Sequence, residues 1–177
     1  MLAYLFIALA LIVRIPSVPH PWGFTPVTAA LLYFGARGFR KQMWIPLALF
    51  IGCDILLDKY VYTYPLSWDL VLTWAWYAGV LLIGSRLRDS VKPAPVLGAA
   101  LSGSISFFVI SNFGVWAATA MYAKTWAGLM ACYVAAIPFF RRGLEGDLIF
   151  TALMFGLPAL AAALSGSVGK PHGTAAA

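Results

Sequence analysis

The sequence predicts an all-α, polytopic membrane helical bundle, and three observations carry that expectation. Hydrophobic residue types make up 62% of the 177 residues and charged types only 10%, against roughly 45–50% and about 25% in an ordinary soluble domain. The apolar residues fall into runs of helical length, separated by short stretches that hold most of the prolines, lysines and arginines. A soluble globule of this size cannot hide so much apolar surface. Composition therefore excludes a soluble enzyme, a disordered chain and a collagen-like fibre, and leaves one compact integral membrane domain over residues 1–164.

The first run is Met1–Ile15. Its stretch from Met1 to Val13 is apolar and contains Ala8-Leu9-Ala10, with no basic residues before it and Arg14 after it, so it reads as a first membrane helix and not a cleaved leader. Pro16, Pro19, Pro21 and Pro26 keep the next segment extended and stiff. Thr25-Pro26 reads as the N-cap and first position of a short second helix, Thr25–Ala36. Then come Met43–Leu57, Trp68–Gly84, a long run from about Val96 to Tyr122, Thr125–Phe140 and Gly146–Leu164. A spanning helix needs about 20 residues. Six core helices are therefore expected, with Thr125–Phe140 as a short seventh span or a re-entrant helix. The Gly- and Ala-rich stretch 165–177 reads as a disordered tail.

Orientation follows from the basic residues in short loops. Arg37, Arg40 and Lys41 lie after the second run, and Arg86, Arg88 and Lys92 after the fourth. Both groups belong on the cytoplasmic side, which puts the N-terminus inside and the protein in the cell inner membrane as a multi-pass chain. Arg141 and Arg142 also fall inside if there are seven spans. The formal net charge of +6 is thus a topology signal, and no nucleic-acid partner is expected.

Ionisable groups inside apolar segments are costly and each needs a reason. Asp54 is the clearest. It and Asp58 are spaced i, i+4 on one helix face, and Asp69 opens the next helix at the same end. Three carboxylates there would line an outward-facing cavity and bind a cation, a cationic ligand or a proton; alternatively they are helix-end carboxylates tied to neighbouring helices. The Pro-rich loop brings His20, Trp22 and Phe24, which suit stacking on a planar ligand or anchoring at the membrane interface. Thr25 stands at its end. Asn112 needs a partner, a helix or a ligand, and Gly114 beside it invites a helix break of the kind that exposes backbone at binding sites. Trp116 completes that group. The substrate-binding set is then His20, Trp22, Thr25, Asp54, Asp58, Asn112 and Trp116.

Other features have structural readings. Cys53 and Cys132 show no metal spacing and read as small buried hydrophobes. Gly98/Ser102/Ser106, Ala99/Gly103, Ala127/Ala131/Ala135 and Gly128/Cys132/Ala136 form stripes that allow close helix approach, within the chain or to a partner. Glu145 and Asp147 suit the charged start of the last helix. No G-x-S-x-G, H-E-x-x-H or phosphate-binding G-x-x-x-x-G-K-[ST] occurs. No enzyme activity, cofactor or metal is expected, although an intramembrane enzyme using Asp54 is a third class of reading.

Phe24-Thr25-Pro26-Val27-Thr28-Ala29-Ala30 after a Pro-rich loop, Pro46 through Asp54, Asn112-Phe113-Gly114-Val115-Trp116, Cys132 through Phe140, and Gly146-Asp147-Leu148 resemble a bacterial family of small uncharacterised multi-pass membrane proteins. Members of that family look like the S components of energy-coupling-factor (ECF) vitamin transporters. The resemblance spans about residues 14–157. It implies six helices, an N-terminus inside, and a vitamin-like ligand bound near the outer face beneath the first loop, Pro16–Phe24. It also implies partners, an energy-coupling membrane subunit and two ATPases. That family docks through an A-x-x-x-A on its first helix; here Ala3, Ala8 and Ala10 do not give that spacing. A solitary, ATPase-free transporter and a docking face elsewhere therefore stay open. The expected function is a transporter's substrate-binding subunit, embedded in the lipid bilayer, that binds a small molecule without chemistry. The alternative is a structural or assembly membrane protein with no ligand.

Overall fold

The computed structural model of the chain describes residues 1–15, 24–63, 67–89 and 91–168. Among them lie six α-helices and no β-strand: α1 Leu2–Val13, α2 Val27–Arg37, α3 Trp44–Leu57, α4 Asp69–Arg86, α5 Pro93–Ala118 and α6 Trp126–Val168. A 3-10 turn, Arg40–Gln42, leads into α3, and a π-turn, Asp58–Tyr62, extends it. Of the described helices, α5 and α6 are long and apolar enough to cross a membrane, and α1 is apolar but shorter.

The organising element is α2. Its residues from Val27 to Ala36 are all buried, as expected of a helix that is apolar on every side. It packs most extensively on α4, then on α1, α6 and α5. Small residues allow this crowding. A Cβ added to Gly35 would lie 2.9 Å from Gly84 Cα, and one on Gly84 would lie 2.9 Å from Leu32 Cα. The backbones of α2 and α4 are therefore in contact. Larger side chains secure the other neighbours: Tyr4 packs edge-on to Phe34 at 5.1 Å between centroids, Phe6 to Tyr33 at 4.8 Å, and Tyr33 to Phe155 at 5.0 Å. Beyond the end of α2, Arg88 donates to the Gly38 carbonyl at 2.7 Å and Tyr4 donates to the Gln42 side chain.

Several sequence expectations change. The first helical residue of the second run is Val27, and Thr25 makes no capping bond there. The fifth helix stops at Ala118, where Lys124 donates to the freed carbonyls of Ala117 (3.1 Å) and Thr119 (2.5 Å) and also to that of Trp116. A cation placed on orphan carbonyls is a favourable helix end. Neither Asn112 nor Gly114 breaks α5. Asn112 Nδ2 donates to the Phe108 carbonyl one turn earlier at 2.7 Å, and Gly114 instead lets α4 approach, its Cβ position being 3.2 Å from Asp69 Cβ.

The largest correction concerns the seventh or re-entrant helix. Thr125–Phe140 and Gly146–Leu164 are parts of one helix, α6, with Pro138 and Pro158 inside it. The intervening Arg141, Arg142, Leu144 and Glu145 are good helix formers, and Arg141 pairs with Glu145 at i, i+4 (3.2 Å). Gly143 and Gly146 cost about 1 kcal/mol each, and Gly146 lets Phe24 pack close against the helix. Asp147 is consequently mid-helix and does not open one. The helix also runs to Val168, into the stretch read as tail; residues 169–177 lie outside those described.

Gly35→Ala is expected to lower stability by about 1–3 kcal/mol, because the new methyl group meets backbone that has nowhere to move. Gly79→Ala and Gly98→Ala, which meet no atom within 4 Å, are expected to be neutral or to gain up to about 1 kcal/mol. Thermal unfolding of the three variants in detergent checks this contrast.

Candidate functional site

Asp54 is only 5% exposed, and the chain's own groups occupy its carboxylate. Arg14, at the C-cap of α1, forms an ion pair with Oδ1. Trp74 Nε1 donates to Oδ2 at 3.1 Å, and the Tyr77 hydroxyl donates to Oδ1 at 3.4 Å while accepting from Arg14 Nη1 at 2.7 Å. The Arg14 guanidinium also stands 5.8 Å from the centre of the Phe50 ring. This cluster joins α1, α3 and α4. Local sequence explains its charges: Asp54 sits near the C-terminal end of α3, where an anion is unfavourable, and a cation at the end of α1 neutralises it. Asp58, one turn on, has its carboxyl pushed above the usual range by partial desolvation and by the negative charge of Asp54, against Arg14 and together with Asp69. The three carboxylates do share one end of the bundle, where the partly exposed Arg14 pairs with Asp54.

A cavity opens elsewhere in the bundle. It has a volume of about 400 Å³ and is bounded by the start of α2, by α4, by the stretch from Ser104 to Asn112 on α5 and by the stretch from Ala136 to Asp147 on α6. Asp147, 8% exposed, marks the floor. It accepts hydrogen bonds from Ser104 Oγ at 2.6 Å and from Thr28. Phe107, Phe108, Phe139, Phe140 and Trp76 form much of the wall, and Arg14, Ser111 and Asn112 add polar groups. Trp76 is held by its indole N–H, which donates to the Gly103 carbonyl (3.2 Å) and Ser106 Oγ (3.0 Å). Phe108 packs on Phe140 with centroids 4.6 Å apart, and Cys132 Sγ lies 3.4 Å from the Asn112 carbonyl. These contacts zip α5 to α6.

The volume falls within the range of small-molecule sites, about 300–1,000 Å³, and the mixture of apolar walls with a few polar groups is typical of them. Of the residues singled out in the sequence, Thr25 and Asn112 line the cavity. Asp54 and Asp58 do not; Asp54 approaches it only through Arg14 and Tyr77, which do. Trp116 is at the α5–α6 corner, its indole N–H donating to the Ala123 carbonyl at 2.9 Å and its ring 5.5 Å from Lys124 Nζ. His20 and Trp22 lie outside the described residues. Sequence reasoning missed Asp147, Ser104, Thr28 and Arg14 as lining groups. The available signal was Asp147 itself, an ionisable residue within an apolar run, obscured by the expectation that a helix starts at Gly146. What the arrangement offers is an anion, hydroxyls, an amide and aromatic faces, all suited to binding. Among the described residues no group of three or more metal-ligating side chains forms.

Removing one partner of the Arg14–Asp54 pair strands the other. Arg14→Met or Asp54→Leu alone is expected to cost about 3–5 kcal/mol, and the double variant much less than the sum. A double-mutant cycle by thermal or denaturant unfolding measures this. Additive losses would show that the two charges do not depend on each other.

No curated protein and no solved structure matches the chain. The model of one family matches residues 1–168, nearly the whole chain. The protein therefore belongs to DUF6580, a family of unknown function.

Proposed function

We propose that this protein is the substrate-binding subunit of a membrane transporter, resembling an ECF S component, which takes up a small vitamin-like molecule from the outer face and performs no chemistry on it. The observation that carries the reading is the cavity between α2, α4, α5 and α6, with a carboxylate at its floor and aromatic walls. The six described helices and the basic residues between them support a six-span arrangement with the N-terminus inside. Large apolar side chains such as Leu5, Ile12, Leu49, Leu56, Val71, Leu82, Leu97, Ile105 and Leu153 are exposed on the outside of the helices. Soluble monomers rarely carry such continuous apolar surface. A helix as short as α2 is compatible with a bilayer because protein surrounds it, so its ends need not meet lipid. In this reading the partners are an energy-coupling membrane subunit and ATPases.

A second reading, an assembly protein with no ligand, is favoured by one observation. Arg141, Arg142 and Glu145 are exposed halfway along α6, between exposed Val134, Ile137, Ile149 and Leu153. Charges facing hydrocarbon are expensive, and a partner protein over this face would relieve the cost. A transporter's coupling subunit would do so equally.

Ala136 lines the cavity, so Ala136→Phe fills it without altering charge. Wild-type protein released in mild detergent is expected to retain or rebind one small molecule, seen by native mass spectrometry, and the Ala136→Phe protein to lose it while keeping its fold. A wild type that never carries a small molecule but extracts with a stoichiometric protein partner would sink the transport reading in favour of assembly. Topology has its own check. Six spans place a C-terminal fluorescent fusion on the cytoplasmic side, where it fluoresces, and a phosphatase fused at the same point stays inactive.

A further inference from the structure

Charge accounting in the cavity goes one step beyond a site for some small molecule. The ionisable residues around it that carry opposite formal charges are Arg14 and Asp147. Arg14 is already neutralised by Asp54. Among the described residues Asp147 receives only two hydroxyl hydrogen bonds, from Ser104 and Thr28, and no lysine or arginine pairs with it. Hydroxyl donors satisfy lone pairs but bring no net charge. The N-terminus of α2 starts beside it, with no side-chain cap, yet a helix dipole amounts to about half a positive charge. The balance inside the cavity stays negative. A carboxylate more than nine-tenths buried without a counter-ion is costly, and the missing partner has the whole cavity in which to sit.

The walls narrow what that partner is. Trp76, Phe107, Phe108, Phe139 and Phe140 present aromatic rings to the same space. Ring faces attract cations, and the attraction grows when water is excluded. A bare metal ion would use neither the rings nor a volume of about 400 Å³. We propose that the cavity is a site for an organic ammonium ion, its charged nitrogen against Asp147 and its apolar body between the rings of α5 and α6. The proposal rests on the ligand-binding reading of the preceding section and specifies its substrate class.

The test uses the full chain in lipid nanodiscs and three probes of one shape and different charge: phenethylamine, 2-phenylethanol and 3-phenylpropionate. Binding is measured by titration calorimetry at neutral pH. Phenethylamine is expected to bind about tenfold or more tighter than the alcohol, and the carboxylate not to bind. Asp147→Asn is expected to erase the preference, and Ala136→Phe to erase binding. Equal binding of amine and alcohol, a preference for the carboxylate, or a preference that survives Asp147→Asn would each overturn the proposal. So would a stabilisation by sodium that needs Asp147 and is unmatched by the amine, which would make the site one for an inorganic cation. If Asp147→Asn fails to fold, the three-probe series on the wild type still decides. Failure of the charge class is separable from failure of the parent reading. Alcohol or carboxylate binding that Ala136→Phe removes leaves a ligand site of another chemistry, whereas a wild type that binds no probe and carries no small molecule removes both.

Discussion

Gly35 and Gly84 bring the backbones of α2 and α4 into contact, and the rest of the bundle is arranged around the helix held there. Because α2 is enclosed along its length, α1, α4, α5 and α6 each take their position from it. Enclosure also demands a particular composition: small or smoothly apolar residues on every side, with Thr28 as the polar exception. Thr28 is excused because its hydroxyl meets Asp147. Tight packing and the cavity thus meet on the same element. Where α2 runs beside α4 there is no room for a methyl group, and Val27 and Thr28 at its start line the cavity.

The two buried aspartates illustrate how similar residues acquire different roles. Asp54 and Asp147 are comparably hidden, and both stand in apolar helical surroundings. Asp54 is saturated by an arginine, an indole and a phenol from two other helices, which makes it a fastener. Asp147 is held in place by hydroxyls that cannot cancel its charge. Exchange of the surroundings would exchange the roles, because nothing intrinsic to either carboxylate distinguishes them.

Much of the helical framework was legible because it depends on local pattern. The third and fourth helices, Trp44–Leu57 and Asp69–Arg86, fall within a residue or two of the runs read from hydropathy, and the burial of Asp54 followed from its apolar neighbours. What escaped is what local pattern does not encode. The partner of Asp54 is 40 positions earlier in the chain, and no spacing rule connects them. The cluster Arg141–Gly146 looked like a loop because charge and glycine usually mark one, yet helix formers carried α6 through it. Asn112 calls for a partner on another helix or a ligand and Gly114 for a break, but an amide can bond its own helix one turn back and a glycine can serve a neighbour's approach. This cavity escaped for a further reason. Its lining comes from α2, α4, α5 and α6 together, a property of the assembled bundle.

Pro138 has a mechanical corollary. A proline inside a helix removes the hydrogen bond to the carbonyl four residues earlier, here Val134, and commonly bends the rod. From Pro138 to Asp147 is nine residues, about 14 Å along the axis, so a swing of 10° at the proline displaces the carboxylate by about 2 Å. That distance separates a formed hydrogen bond to Ser104 from a broken one. The same swing sweeps the far tip of α6, some 45 Å away, through about 8 Å. Any partner gripping that tip would hold a long handle on the chemistry of one acid.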